Sequence, residues 1–378
     1  MDNLVPITLK KLEVWITKKT ESSDGWTDIK PFLIIRLITN SGLEGWGEAF
    51  VLPKKELGVA HIIISLLTEI KTLSKVTPYD FRNWVNNIAK KHRGMEFSSA
   101  TSAIEMALWD ITGKMLDKSL CSLFGGKSIG QTPVYANSWS SFNIDISTLV
   151  KRTQDLVHKG FKSIKLYPLQ HRTIDEGAEC MKRVREAIDR DVNLMVDLTI
   201  PEDETIALAF ARLIKPFNPY WLEEPVDGER TSILASIKQQ IDVPVVTGEK
   251  QFELPHFEKT INAEAADILN PDIAGVGGIQ DFMKISHMAA KNNIKVSPHC
   301  WNTMTIAATA MIHVCLTIPN SDHAEIFPDY FEFCSHFSKA GFKIENGKAT
   351  INNKSGLGVE VKVNALTIHS SFYDKKDL

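Results

Sequence analysis

Cysteine is scarce in this sequence, and the spacing of the few that are present excludes two kinds of site. The 378 residues include five cysteines, an odd number, and no two of them form a Cys-x-x-Cys pair. That pattern is not typical of a disulfide framework or of a cysteine-ligated zinc site. The cysteines are Cys121, Cys180, Cys300, Cys315 and Cys334.

Long apolar segments are missing as well. The longest, residues 305–318, is interrupted by His313 and is too short to span a bilayer. The first residues carry Asp2 and show no apolar region of the kind found in signal peptides. We therefore expect a cytoplasmic protein with no membrane partner.

An excess of positive charge is also lacking. Lysine and arginine number 43 against 46 aspartates and glutamates, which gives a net charge of −3. A nucleic acid is therefore not an expected partner. With 43% hydrophobic and 24% charged residues, the composition is that of a folded globular protein. The length predicts two or three domains, or one large barrel with an appendage.

Residues 1–128 predict a small α+β domain. Three segments rich in β-branched residues indicate strands, and helical periodicity follows them. Asn40, Ser41 and Gly42 favour a turn between the second and third strands. The predicted elements are strands at 12–18, 31–40 and 43–50 and helices at 56–73, 79–90 and 101–114.

Residues 129–340 show a different rhythm, in which short apolar runs alternate with amphipathic helical stretches. The eight runs and their connections predict a (β/α)8 barrel, a modified TIM barrel of the α/β class. The runs are 134–137, 163–168, 193–199, 220–225, 243–248, 267–271, 295–298 and 323–327. Residues 341–378 contain further strand-forming segments and an Asn346-Gly347 hairpin signal. We expect these strands to return to the amino-terminal domain.

Carboxylates end three consecutive predicted strands of the barrel. Asp197, Glu223 and Glu249 follow one another at intervals of one strand–helix repeat. Active sites of such barrels lie at the carboxyl ends of the strands, so these side chains are expected to converge. An all-carboxylate set suits a hard cation, and Mg²⁺ is the expected ion. The alternative is that the acids are solvated or pair with neighbouring lysines.

Other ionisable residues end the remaining strands. Lys165 and Tyr167 are two positions apart and share one face of the second strand. His299 follows Asp272 by one strand–helix repeat, which allows a hydrogen bond that orients the imidazole and raises its basicity. Glu325 ends the eighth strand. These five residues are candidates for acid–base chemistry beside the metal.

In its order of strand-end residues the chain resembles the enolase superfamily, and within it the mandelate racemase subgroup. The order is Lys on strand two, Asp, Glu and Glu on strands three to five, Asp and His on strands six and seven, and Glu on strand eight. Local strings support the resemblance from end to end. They are Ala107-Leu108-Trp109-Asp110-Ile111, Gly160-Phe161 and Trp221-Leu222-Glu223-Glu224-Pro225.

The resemblance implies both a fold and a chemistry. The amino-terminal domain would be a capping domain, completed by the carboxy-terminal strands, in a homo-oligomer. The chemistry would be abstraction of the α-proton of a small-molecule carboxylate, with one Mg²⁺ per active site stabilising the enediolate. Such a proton is too weakly acidic for a side-chain base unless the dianion is bound electrostatically.

Residue roles also follow from the resemblance. The metal ligands would be Asp197, Glu223 and Glu249. His299 with Asp272 would be an acid/base, and Glu325 would donate a hydrogen bond to the substrate carboxylate if it is protonated. Lys165 would lie near that carboxylate or serve as a base on the opposite face.

Two positions depart from the family pattern. The family often has a second lysine where this chain has Tyr167. A tyrosine acts as a base only if a cation such as Lys165 lowers its pKa, and it is otherwise a hydrogen-bonding wall of the pocket. Several sugar-acid dehydratases have a histidine where this chain has Thr199, so that acid/base is absent here.

Dehydration of an acid sugar is the expected reaction, because one histidine can remove the α-proton and protonate the departing hydroxide in a syn elimination. Racemisation or epimerisation needs a base on each face, which Lys165 or Tyr167 would have to supply. Cycloisomerisation of another carboxylate is a further alternative. A lapsed barrel that only binds an acid sugar predicts a broken ligand set, whereas the residues of every set are present.

Three further features of the sequence bear less directly on function. Gly275 to Gly278 open a helix and favour tight-turn geometry over an anion site. The segment 21–28, with Trp26, and residues 50–55 would form loops over the barrel mouth. A substrate with two carboxylates would need a distal cation, for which the candidates are Lys54, Lys55 and Lys250.

Overall fold

The amino-terminal part of the chain is a capping domain in which antiparallel strands pack against helices. The computed structural model describes residues 4–70, 75–89, 94–126, 130–199, 203–301 and 303–378. The elements of this domain are β1 (Leu9–Thr17), β2 (Thr20–Glu21), β3 (Asp28–Ile29), β4 (Leu33–Thr39), β5 (Glu44–Ala49), α1 (Glu56–Ile70), α2 (Pro78–Ala89), α3 (Gly94–Met115) and α4 (Leu120–Leu123). The predicted helix ends at 71–73 and 90, and the predicted boundary at 128/129, lie outside the described residues.

Two glycines let helix α3 lie directly on strand β5. A Cβ at Gly45 would lie 2.1 Å from the carbonyl oxygen of Ala107, and one at Gly47 would lie 2.0 Å from that of Ala103. No side chain fits at either position, so the helix and the strand touch through their backbones. This contact fixes the position of α3 on the sheet within the capping domain.

Within the described residues, eight parallel strands alternate with helices and close into a barrel. The elements are β6 (Thr132–Asn137), α5 (Ile146–His158), β7 (Ser163–Leu166), α6 (Ile174–Ala187), β8 (Asn193–Asp197), α7 (Glu204–Ile214), β9 (Pro219–Glu223), α8 (Thr231–Gln240), β10 (Val245–Thr247), α9 (Leu254–Asn262), β11 (Ile268–Leu269), α10 (Ile279–Lys291), β12 (Lys295–Val296), α11 (Thr305–Cys315), β13 (Ala324–Ile326) and α12 (Pro328–Cys334). Strand β13 pairs in parallel with β6, and Val296 of β12 bridges Ser321 just before β13, so the sheet closes on itself. The predicted barrel is confirmed.

The carboxy-terminal segment divides between the two parts of the molecule. Its elements are β14 (Ser338–Lys339), β15 (Phe342–Glu345), β16 (Lys348–Ile351), β17 (Glu360–Val361), α13 (Val363–Ile368) and β18 (Ser370–Asp377). Strand β18 pairs with β1 at the edge of the capping sheet, whose order is β18-β1-β4-β5. The β15–β16 hairpin instead pairs with β6 of the barrel.

The position of this hairpin differs from the expectation that the tail strands return to the amino-terminal domain. The amide of Val134 donates to the carbonyl of Gly347 over 2.9 Å, so the hairpin fills hydrogen-bonding positions at the start of β6. The capping sheet is completed by β18. The predicted domain limits of 1–128, 129–340 and 341–378 remain predictions.

Alternation along the barrel strands determines which side chains reach the active site. Tyr135, Met195 and Trp221 point inward and form a small apolar core inside the barrel, where the rings of Tyr135 and Trp221 meet edge to face at 5.3 Å. Because side chains alternate with a period of two, the residues two positions later also face inward, at the carboxyl end. Those residues are Asn137, Asp197 and Glu223.

The helices of the fold are short or interrupted by charge. In the ranges that the structure describes, none has an apolar stretch long enough to cross a membrane.

Candidate active site

Three carboxylates meet at the carboxyl ends of β8, β9 and β10. One oxygen from each of Asp197, Glu223 and Glu249 lies within 4.8 Å of the others. Burial, together with the charge of Glu249, raises the pKa of Asp197 to about 6 against the lowering effect of Lys165. Burial also raises the pKa of Glu223 well above its usual range. The trio therefore concentrates negative charge that nearby protein groups offset only in part.

The same trio fits a hard divalent cation. Its donors are all carboxylate oxygens, which are the ligands that such ions prefer. Oε2 of Glu223 is buried and has no hydrogen-bond partner in the part of the chain that the structure describes. A buried acceptor without a donor is costly unless a ligand supplies the missing interaction. The three residues could therefore bind a metal ion.

Lys165 projects from β7 into the carboxylate cluster. Its Nζ lies 2.9 Å from Oε1 of Glu223, 2.8 Å from Oε1 of Glu325 and 3.6 Å from Oδ2 of Asp197. Burial lowers the pKa of an ammonium group, but these carboxylates outweigh burial and raise the pKa of Lys165 well above its usual range. Lys165 is therefore a cation in this arrangement, not a free base.

His299 and Asp272 form a hydrogen-bonded pair beside the cluster. Nδ1 of His299 lies 2.9 Å from Oδ2 of Asp272, whose Oδ1 accepts from the amide of Ala274 over 2.8 Å. Nε2 of the same ring lies 3.3 Å from Oε2 of Glu249. Burial lowers the pKa of His299, but the charges of Glu249, Glu325 and Asp272 outweigh it and raise the pKa to about 9. Nε2 is thus the nitrogen available for proton exchange.

Glu325, at the middle of β13, accepts hydrogen bonds from three sides. The donors are Asn137 Nδ2 at 2.7 Å, the amide of Cys300 at 2.6 Å and Lys165 Nζ at 2.8 Å. Burial raises the pKa of Glu325, but the nearby cations Lys165 and His299 lower it overall. This arrangement favours a carboxylate, so the protonation on which the expected donor role of Glu325 depended is not favoured here.

Tyr167 lies at the edge of the site, and its surroundings do not suit a second base. Its hydroxyl accepts from Asn137 Nδ2 over 2.7 Å. Burial raises the pKa of Tyr167 well above its usual range, and Lys165 offsets this only in part. The phenol therefore stays protonated. Of the two hypotheses for this residue, the geometry favours the hydrogen-bonding wall.

Two amides that sequence reasoning missed belong to the site. Asn137 bridges Tyr167 and Glu325 through its Nδ2, and Asn270 Nδ2 donates to Oε1 of Glu223 over 2.8 Å. Asn137 ends β6 and Asn270 directly follows β11, which are positions where ionisable groups were sought. Counting polar amides as well as charged groups at strand ends would have identified them.

Lys250 faces the carboxylate cluster from its outer side. Its Nζ lies 3.1 Å from Oε2 of Glu224 and 3.4 Å from Oε1 of Glu249. The backbone amide of Thr199 donates to Oδ1 of Asp197 over 2.8 Å. Both residues thus bear on the metal-ligand candidates rather than on the His299 side of the site.

The capping domain contributes two aromatic residues near the barrel mouth. The ring of Phe50 lies 6.4 Å from the ring of His299, and its amide donates to the carbonyl of Ala274 over 3.0 Å. Trp26 donates from Nε1 to the carbonyl of Trp139 over 2.9 Å. The sequence predicts a loop over the barrel mouth at Trp26, and in the structure the side chain of Trp26 is buried in this contact.

The glycine-rich turn before α10 packs against the capping domain. A Cβ at Gly278 would lie 1.6 Å from Oε2 of Glu105, and the amide of Gln280 donates to Oε1 of Glu105 over 3.2 Å. The start of α10 is therefore already occupied by a carboxylate of the chain itself. This contact favours the close-packing interpretation over an anion site.

The fold and the strand-end residues define a capped barrel with a carboxylate cluster and a histidine pair. Residues 148–365 match the family model described as enolase C-terminal domain-like, which covers more than half of the chain. Residues 13–125 match the amino-terminal domain of mandelate racemase / muconate lactonizing enzyme. The chain therefore belongs to the mandelate racemase / muconate lactonizing enzyme family of the enolase superfamily.

Individual relatives resemble the chain over almost its whole length. A solved structure, an enolase from the environmental genome shotgun sequencing of the Sargasso Sea, is 42% identical with a TM-score of 0.96, covering 99% of this chain and 100% of that one. D-gluconate/D-galactonate dehydratase from Picrophilus torridus is 25% identical over 93% of this chain and 91% of its own length. D-galactarolactone cycloisomerase from Agrobacterium fabrum is 27% identical over 92% of this chain and 93% of its own length.

Proposed function

We propose that this protein is a Mg²⁺-dependent acid-sugar dehydratase. It would remove the α-proton of a sugar acid and eliminate the β-hydroxyl group, giving a 2-keto-3-deoxy acid. The observation that carries the proposal is the position of Nε2 of His299, which Asp272 orients from the far side of the ring and which lies 3.3 Å from the metal-ligand candidate Glu249. A base and a cation site are thereby adjacent. The dehydratase relatives support the choice of reaction.

The carboxylate trio would hold the metal. Asp197, Glu223 and Glu249 would be the protein ligands of one Mg²⁺. Bound there, the ion supplies positive charge that stabilises the enediolate formed when the α-proton leaves. Asn270 holds Glu223 in position through its 2.8 Å hydrogen bond.

His299 would carry out both proton transfers. As a neutral imidazole, Nε2 takes the α-proton while the electrons of the C–H bond move into the enediolate. The same nitrogen then returns the proton to the β-hydroxyl group, whose C–O bond breaks as water leaves, and the resulting enol ketonises. Asp272 accepts from Nδ1 throughout and keeps the lone pair on Nε2.

Lys165 would bind the substrate carboxylate as a hydrogen-bond donor. Its ammonium is held by Glu223 and Glu325 at the centre of the site, where it adds positive charge for the developing dianion. Glu325 positions Lys165 and is itself fixed by Asn137. Tyr167 would line the pocket as a protonated phenol.

Elimination is preferred over racemisation because of the protonation states around Lys165. Racemisation needs a base on each face of the substrate. Lys165 is an ammonium among carboxylates, and burial keeps Tyr167 protonated by raising its pKa. Among these candidates, His299 is the residue suited to accept a proton. Cycloisomerisation remains a second candidate because one relative is named for it, and it shares the α-proton step.

A product assay with a panel of aldonic and aldaric acids tests the proposal. The purified protein is incubated with each acid and Mg²⁺, and products are followed by proton NMR. A 2-keto-3-deoxy acid from one stereochemical class of acid is expected. An isomer of the substrate with no loss of water would establish an epimerase or cycloisomerase instead. Turnover only of carboxylates that are not sugars would overturn the acid-sugar assignment.

A further inference from the structure

A lysine of the capping domain is buried at the barrel mouth without an acceptor. Nζ of Lys30 is buried and has no hydrogen-bond partner among the described residues. It lies 2.8 Å from the centroid of the Trp301 ring, a cation–π contact that recovers part of the lost hydration. An ammonium group has three donors, and leaving all of them unpaired in a buried site is costly.

The backbone around Lys30 is fixed to the barrel by hydrogen bonds. The amide of Asp28 donates to Ser141 Oγ over 2.8 Å, and Ser140 Oγ donates to the carbonyl of Trp26 over 2.5 Å. Residues 140 and 141 closely follow β6, whose last residue, Asn137, contacts Glu325 in the site. Lys30 is thus held at the carboxyl end of the barrel.

The amino group of Lys30 interacts electrostatically with carboxylates on the catalytic side of the barrel. Burial lowers the pKa of Lys30 well below its usual range, and the nearby charges of Asp272, Glu249 and Glu325 oppose that effect. Trp301, on which the ammonium rests, is two residues beyond His299. Lys30 therefore lies on the His299 side of the site, within the field of its carboxylates but paired with none of them among the described residues.

A cavity next to Lys30 gives room for a ligand. Its volume is about 440 Å³, and its walls combine three aromatic residues and two prolines with three lysines and the acids Asp28 and Glu56. Asp28 is paired with Lys19 at 2.8 Å. The lining includes Lys30, Pro53, Lys54, Trp139, Trp301 and Tyr330. The rings of Trp139 and Trp301 meet edge to face at 5.9 Å and form one stiff wall. An anionic group entering along this wall would provide the acceptor that Lys30 lacks.

We infer that Lys30 recognises a second carboxylate of the substrate, at the end remote from the metal site, so that the preferred substrates are dicarboxylic acid sugars. The inference rests on the proposed function and names its substrate class. Two of the lysines considered for this role from the sequence are already engaged. Lys55 pairs with Glu96 at 2.7 Å, and Lys250 pairs with Glu224 at 3.1 Å.

Matched pairs of acids that differ only at C6 test the inference. D-glucarate is compared with D-gluconate, and galactarate with D-galactonate, for turnover and for binding to the Mg²⁺-loaded protein by titration calorimetry. The proteins are the wild type, K30M and the control K54M, which removes a lysine from the wall of the same cavity. We expect the wild type to prefer a diacid and K30M to lose about a hundredfold in diacid affinity and kcat/KM. Monoacid values should change less than threefold, and K54M should behave as the wild type.

Four outcomes would each contradict one of the two proposals. Equal losses for diacids and monoacids in K30M, or a wild type that prefers monoacids, would overturn the role of Lys30. Loss of diacid selectivity in K54M but not in K30M would overturn it in favour of Lys54. Selective diacid binding that K30M abolishes, without formation of a keto-deoxy acid, would uphold Lys30 and contradict the dehydratase reaction. The thermal midpoint of K30M without substrate should not fall, because a buried polar group that lacks an acceptor is removed.

Discussion

Asp272 and His299 are joined by a 2.9 Å hydrogen bond between Oδ2 and Nδ1, although they lie on different strand ends of the barrel. Asp272 is itself fixed by the amide of Ala274. The pair leaves Nε2 as the ring nitrogen that faces the carboxylate cluster, 3.3 Å from Oε2 of Glu249. In the proposed mechanism this hydrogen bond selects Nε2 as the atom that exchanges a proton, so the reactivity can be tested from it.

Replacing Asp272 tests its positioning role. D272N should lower kcat by about 10²–10⁴-fold, because the amide no longer stabilises the charged imidazole or fixes its tautomer. Mg²⁺ affinity, measured by calorimetry, should stay within about threefold. The lost charge also lowers the pKa of His299, so the rise of kcat/KM with pH should shift to lower pH in D272N. An unshifted profile would contradict the role.

Neutralising one metal-ligand candidate tests the carboxylate trio. E223Q should bind Mg²⁺ about a hundredfold more weakly or worse, because one of three converging carboxylates is lost. E224Q is the matched control, since Glu224 is the adjacent residue and bonds Thr247 and Lys250 instead of joining the cluster. Its Mg²⁺ affinity should stay near that of the wild type. Equal losses in both variants would show that general charge, not ligation, holds the ion.

Two substitutions, Y167F and K165M, test whether Tyr167 acts as a base or only lines the pocket, and whether Lys165 acts as a buried cation. Y167F should keep kcat within about tenfold, because it loses one hydrogen bond and the phenol was never ionised. K165M should abolish turnover and cost about 3–5 kcal/mol of unfolding free energy, because it leaves Glu223 and Glu325 without their buried partner. Urea denaturation and steady-state kinetics measure the two effects. A loss of several hundredfold in Y167F would restore the tyrosine-base hypothesis.

Glu48 links the capping domain to the barrel and makes stability depend on pH. Its carboxyl oxygens accept from the amides of Met304 and Ala307 at 2.5 and 2.9 Å, at the start of α11. Burial raises the pKa of Glu48 to about 8 from 4.5, although the amide hydrogen bonds oppose this. The folded state therefore holds a proton that the unfolded state releases, and stability from this group falls as pH rises from 4.5 to about 8.

The variant E48Q isolates that contribution. Its stability relative to the wild type should increase across pH 4.5 to 8 and then level off, because glutamine carries no titrating proton. Urea denaturation of both proteins at several pH values measures the difference. A difference that is constant with pH would contradict the raised pKa.

The barrel and most of its charged site residues could be predicted because they follow local rules. Asp197 and Glu223 lie two residues beyond the inward-facing Met195 and Trp221, and that period of two can be counted along each strand. The spacing of one strand–helix repeat then brings the strand ends together. Neither step requires knowledge of contacts between distant segments.

Features that depend on distant contacts could not be predicted. Glu48 contacts Met304 across 256 positions, and no local pattern marks either residue as a partner of the other. Lys30 lies in an irregular segment whose position is set by its hydrogen bonds to residues 139–141. The hairpin β15–β16 pairs with the first residues of β6 in the barrel instead of with the capping sheet. In each case tertiary contacts, not local sequence, decide the outcome.

Exchange of the substrate α-proton in D₂O is the most direct test of whether His299 is the base. Wild-type protein and H299N are loaded with Mg²⁺ and incubated with an acid sugar that the wild type turns over, and deuterium at the α-position and in the product is followed by proton NMR. We expect loss of the α-proton with the wild type and a rate about 10²–10⁴-fold lower with H299N, at unchanged Mg²⁺ affinity. Undiminished proton loss in H299N would show that another residue is the base and would contradict the proposed role of His299.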